Sequence, residues 1–253
     1  MSDANRTRYV QVALIAASLL AVVLAFPLSW CPQRHSGGPR CGNNLKNIVT
    51  AMLSYHERHG CLPPAYIADK DGKPMHSWRV LLLPELDEEP LYSQYRFSEP
   101  WNGPNNSKLA NRMPSVFHCP QHKTPLRNAD GTRNPLSTTS YVVVTGTNTA
   151  FPGAECRRLA GLRDDLILLT EVADCDICWL EPRDLDADKM QYRINSDPRC
   201  APSSRHREGR RGGALVALAD GSVHLLLETT DPATLRAWLT VGVEAPKFPR
   251  PVD

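Results

Sequence analysis

Excess charge of one sign is missing from this sequence: 29 Lys and Arg stand against 27 Asp and Glu, a formal charge of +2 over 253 residues. Such a balance offers no basic groove for a nucleic-acid backbone, so nucleic acid is not an expected partner. A Gly-rich phosphate loop, a nucleophile elbow and a His-Glu-x-x-His helix are absent as well. Their absence removes the simplest signals of nucleotide binding, acyl transfer and zinc hydrolysis. No internal repeat recurs. What the chain does not lack is chain-breaking residues: 22 Pro and 15 Gly imply many turns and argue against an all-helical bundle.

One long apolar run is present. Val10 to Leu28 reads VQVALIAASLLAVVLAFPL, with Gln11 and Ser18 as its polar side chains. Nineteen helical residues span about 28 Å, close to the ~30 Å hydrocarbon core of a bilayer. A buried globular helix would show a polar face, and this run has none. Trp30 stands where an interfacial aromatic belongs, and Pro27 lies near the end, where a missing donor is tolerated. Arg6 and Arg8 precede the span while Arg34 and Arg40 follow it, a weak preference for the N-terminus inside. The rival is a cleaved signal peptide, but Val23-Leu24-Ala25 with Pro27 beyond matches a cleavage site poorly. The expectation is an uncleaved anchor. It makes a single-pass inner-membrane protein whose lipid partner is met through residues 10–30, with the C-terminal domain outside the cytoplasm.

Eight cysteines, Cys31, Cys41, Cys61, Cys119, Cys156, Cys175, Cys178 and Cys200, all follow the apolar run and so share one compartment. An oxidising compartment makes all eight disulfide candidates; a cytoplasmic one adds weight to a metal site. Their connectivity is not deducible from spacing.

The expected organisation is a short tail (1–9), the anchor (10–30), a Pro/Gly-rich linker (31–42), one α+β domain (43–246) and a C-terminal tail (247–253). Leu45, Ile48, Val49 and Met52 recur at helical spacing, with Asn43 or Asn44 as the cap and Gly60 as the stop. SWRVLLL (77–83) suits either a buried strand or a short helix, and 97–139 reads as loop with short helical turns. SYVVVT (140–145) and DLILLTEV (165–172) look like strands. Apolar runs on either side of Asp220-Gly221 predict a β-hairpin closed by a type I′ turn. Asp231-Pro232 then starts a helix presenting Leu235, Trp238 and Leu239.

Several segments together resemble one family: NNLKNIVTAMLSYHERHGCLPPAYI (43–67), HSWRVLLLPEL (76–86), FSEPWNGPNN (97–106), TSYVVVTGTNTAFPG (139–153), EVADCDICWLEPRDL (171–185) and GGALVALADGSVHLL (212–226). This is similar to the domain-of-unknown-function family numbered 1559, over about Asn43 to Glu244. The resemblance implies a type IV pilin-like or pseudopilin-like architecture: an N-terminal hydrophobic helix, then an antiparallel sheet packed on a helix, without an established enzymatic activity. Two departures from the family pattern stand out. No prepilin peptidase site precedes Val10, and Pro27, Pro32 and Ser36-Gly37-Gly38-Pro39 interrupt the helix that a pilin would continue into its domain.

The residues that could carry chemistry are few. Cys175-Asp176-Ile177-Cys178 has redox or half-zinc spacing, but it follows a strand rather than opening a helix, and structural thiols or a disulfide are the favoured reading. His118 and His122 flank Cys119-Pro120-Gln121 and, with Cys175 and Cys178, form a weak candidate for a tetrahedral metal site. Glu171, Glu181, Asp184 and Asp186 would need to face one cleft to work as acid and base. Asp184, Asp186 and Asp188 alternate in the manner of hard oxygen ligands for calcium, without the Gly and terminal Glu of an EF-hand. The basic run RHREGRR (205–211) reads as a solvated loop. The expectation is therefore a non-enzymatic binding or assembly module with no catalytic residue, cofactor or metal, whose partner is another protein or filament subunits. Its alternatives are an extracytoplasmic metal- or thiol-dependent enzyme using the Cys/His cluster, and a structural part of a secretion or filament apparatus.

Overall fold

The computed structural model describes residues 39–121, 138–173, 175–197, 199–205, 207–208 and 211–248. The apolar run, Cys31 and His122 lie outside them, as do 209–210 and His206 of the basic run.

The first helix among the described residues, α1 (Pro39–His59), begins before the expected Asn43 or Asn44 cap and inside the expected linker. Pro39 explains the early start, since its fixed φ suits a first helical turn where its missing N–H is not needed. From there Cys41, Leu45, Ile48, Val49 and Met52 form one fully buried stripe. Gly60 ends the helix as expected, with φ 79° and its N–H bonded to His56 O at 2.8 Å. Among the described residues no helix is long and apolar enough to cross a membrane.

A small antiparallel ribbon follows, β1 (Tyr66–Ala68) with β2 (Pro74–Ser77). The ambiguous 77–83 segment resolves at Ser77, which ends β2 and caps the short helix α2 (Trp78–Leu81) by accepting a hydrogen bond from Arg79 N. A 3₁₀ turn (Pro84–Leu86) and a one-turn helix, α3 (Glu89–Tyr92), come next. Further 3₁₀ turns at Asn106–Arg112 and Ser115–Phe117 match the loop-rich expectation for this stretch.

The expected strand at 140–145 is split in two. Its first half, β3 (Tyr141–Val142), pairs antiparallel with β5 (Ile167–Glu171); its second, β4 (Val144–Thr145), pairs parallel with β6 (Leu185–Asp186). The break falls at Val143, whose N–H is taken by the Asp184 carboxylate at 3.0 Å. The central strand β8 (Arg211–Leu218) pairs with β5, with the short β7 (Arg207–Glu208) and with β9 (Val223–Leu227), all antiparallel. The β8–β9 hairpin is as expected but its turn is not type I′. Only Gly221 has positive φ (78°), Gly221 N bonds Leu218 O, and Leu218 N bonds Ser222 O. That is a three-residue loop, a type I turn closed by a left-handed glycine, with the Asp220 carboxylate held on Ser222 N at 2.7 Å.

Alternation along β8 separates two cores. Leu215 and Ala217 join the α1 stripe, while Ala214, Val216 and Leu218 join the side chains of α4 (Pro232–Leu239). Leu168 and Leu169, though adjacent, both face α1 because the β5–β8 register slips between Ile167 and Leu169. The sheet is thus covered on both faces, which is why β5 is buried at every position. Helix α4 is capped as expected by Asp231, which accepts from Thr234 N at 2.9 Å. The chain then folds back so that Phe248 packs on Trp238 and His224, and packing continues past residue 246. The α+β class, with a helix on an antiparallel sheet, stands.

Candidate functional site: two buried polar nodes

The apolar stretch SWRVLLL contains one charge, Arg79, and the Ser77 cap turns it inward. Its side chain is completely buried against Asp184, with Nη2 2.7 Å from Oδ1. The guanidinium fork is used almost fully: Nη2 and Nε donate to Tyr141 O (3.0 and 3.3 Å), Nη1 donates to Ser77 Oγ (3.1 Å), and the group lies 4.5 Å from the Trp78 ring centroid. Asp184 accepts in addition from Trp78 Nε1 and Val143 N. Burial pushes the Asp184 carboxyl above its ordinary range, against the pull of Arg79, Trp78 and Val143. With its lone pairs occupied, this pair clasps α2 to β3 and to the segment before β6; it is not placed to exchange protons with a substrate.

The second node joins α1 to the sheet. Cys41, in the first turn of α1, is bonded to Cys119 across 78 residues. The Glu171 carboxylate at the end of β5 is fully buried, and one of its oxygens lies within 4.8 Å of both sulfurs. Register places Tyr141 opposite Glu171, and the Tyr141 hydroxyl donates to Cys41 O at 3.2 Å. Burial first, and then the Glu171 charge, push the Tyr141 phenol well above its usual range. Leu215 N donates to Glu171 Oε2 at 3.4 Å.

Of the weak metal candidates, His122 lies outside the described residues, and His118, Cys175 and Cys178 do not group. Cys119 is spent in its bond to Cys41, and His118 is held through its backbone, its carbonyl accepting from Asn44 Nδ2 at 2.8 Å. Cys175 and Cys178 are free thiols, and Cys175 Sγ donates to Thr139 O at 3.0 Å. Burial pushes the Cys175 thiol up to about 11 and raises Cys178 as well, the reverse of an activated pair. Among the described residues, the cysteine–carboxylate group that does converge is Cys41, Cys119 and Glu171.

Among the described residues, disulfides form for four of the seven candidate cysteines: Cys41–Cys119 and Cys61–Cys156. Cys175, Cys178 and Cys200 are free thiols, which for Cys175 and Cys178 is one of the two forms of the favoured reading. Cys175 cannot be both a bridge partner and the buried donor to Thr139 O. The acidic residues likewise separate onto different partners. Glu181 and Asp176 hold Arg183, Asp186 holds Lys189 and the Asp188 N–H, and Asp184 holds Arg79. They make neither a shared acid–base cleft nor a calcium loop.

A further buried pair, His76 Nδ1 with Tyr95 Oη at 2.8 Å, lies beneath the exposed Phe97. Burial lowers the His76 pKa. Sequence reasoning missed this pair and the Arg79–Asp184 clasp. A lone Arg in an apolar run was the available signal, since arginine is almost never fully buried without a partner.

The model of the family described as "Protein of unknown function (DUF1559)" matches residues 40–162, the N-terminal part of the stretch that resembles it in sequence. No curated protein and no solved structure matches the chain.

Proposed function

We propose that this chain, which belongs to the DUF1559 family, is a membrane-anchored extracytoplasmic module of pilin-like type that binds or assembles with a protein partner and does not catalyse. The observation that carries this reading is the pair of disulfides. They close sequence separations of 78 and 95 residues, and bonds of this kind persist where thiols are not kept reduced. The apolar run 10–28 supplies the means of holding such a domain at an inner membrane. Further support comes from the polar side chains inside the fold. Arg79, Asp184, Cys175 and His76 are engaged with other side chains or with backbone groups, and a raised Cys175 thiol weakens the thiol-dependent alternative.

Alkaline carbonate extraction of membranes tests the anchor. The full chain is expected to stay in the membrane pellet, and a variant lacking residues 10–30 is expected in the soluble fraction. A full chain released by carbonate would refute the anchored reading.

A further inference from the structure

We propose that Cys41, Cys119 and Glu171 are the ligands of a zinc-class divalent cation in the reduced chain, where the metal takes the place of the Cys41–Cys119 bond. One ligand atom from each residue lies within 4.8 Å of the others, and all three side chains are buried. Two thiolates and one carboxylate are a donor set that borderline-soft Zn²⁺ or Co²⁺ accepts in tetrahedral geometry, with water left for the fourth position.

The three residues come from separate elements: the first turn of α1, the segment after the Ser115–Phe117 turn, and the end of β5. A metal there joins the helix to the sheet as the disulfide does. The sulfurs must part, because tetrahedral bonds of ~2.3 Å place two thiolates about 3.8 Å from each other, against 1.99 Å in the disulfide. Tyr141 stands beside the site, opposite Glu171 in register and bonded to Cys41 O, as an outer group that fixes the ligands. The other disulfide has no such companion, since among the described residues no carboxylate or imidazole groups with Cys61 and Cys156.

The chemistry balances without electron transfer at the metal. Two cysteine S–H bonds ionise, two protons leave, and two metal–sulfur bonds form. Starting from the oxidised chain, a dithiol reductant first delivers two electrons and two protons to the S–S bond and becomes a cyclic disulfide itself. A chain that folds with its thiols reduced needs no such step.

The test folds the full chain under a phosphine reductant, titrates it with Co²⁺ without oxygen, and maps by mass spectrometry which cysteines Zn²⁺ protects from maleimide. The expected result is a thiolate-to-cobalt charge-transfer band saturating at one ion per chain, with Cys41 and Cys119 protected together. The band persists in Cys175→Ser/Cys178→Ser, and affinity falls about tenfold or more in Glu171→Gln, which keeps both thiols. The proposal is overturned by protection at Cys175 and Cys178 instead, by equal affinity in Glu171→Gln, or by no protection of Cys41 and Cys119, including where the reduced chain does not fold.

Discussion

Replacing Arg79 by Met tests the buried clasp most severely. Methionine keeps much of the stem volume but removes every donor. Asp184 then loses its 2.7 Å partner, and Tyr141 O loses two N–H donors. Trp78 Nε1 and Val143 N still reach the carboxylate, so part of its solvation remains. Breaking a buried ion pair from one side costs about 3–5 kcal/mol, since a charge is left in a site that water does not reach. We expect Arg79→Met to lose that much in urea unfolding with the disulfides intact. The double variant Arg79→Met/Asp184→Leu, which removes both charges, should regain about half of the loss or more, because apolar replacement of a whole pair is far less costly than orphaning one member. A loss below about 1 kcal/mol in the single variant, or a double variant additive with its singles, would refute the reasoning.

His76 and His224 both have pKa values lowered by burial, so below about 6.5 the unfolded chain takes up protons that the folded chain refuses. Stability is then complete above that pH and falls as pH drops toward the folded values; urea midpoints measured against pH should show this, with a shallower slope in His76→Phe. Removing Cys61–Cys156 as a double Ala variant should cost about 4–5 kcal/mol from loop closure alone, and removing the fully buried Cys41–Cys119 should cost more because packing is also lost. Mild reductant should open Cys61–Cys156, with its exposed Cys156, before the buried bond, as peptide mapping would reveal. Asp231→Ala removes the cap on Thr234 N and should cost about 1 kcal/mol in the same unfolding assay.

Local signals were legible in the sequence. Asp231-Pro232 marks its helix start because capping and proline geometry act within four residues, and Asp220-Gly221 marks its hairpin because only the glycine must enter the left-handed region. The same dipeptide did not distinguish a two-residue from a three-residue loop, since both can place a glycine where φ is positive. Long-range chemistry was hidden. Arg79 and Asp184 are 105 residues apart, and nothing in either segment states that they meet. The split at Val143 follows from that meeting, so it was hidden too. Glu171 read as one of four clustered acids, yet strand register sends it to a disulfide while Glu181 and Asp186 turn to surface cations. Spacing made Cys175 and Cys178 look like a pair; burial beneath Thr139 is what leaves Cys175 a quiet thiol.

The most direct test of an extracytoplasmic domain is site-resolved labelling of intact cells with a membrane-impermeant maleimide. Cys200 is a partly exposed free thiol and should react from outside, whereas Cys41, Cys61, Cys119 and Cys156 should react only after unfolding and reduction. Labelling of Cys200 only once the cytoplasmic face is opened, or of the four bonded cysteines without reductant, would contradict the proposed placement.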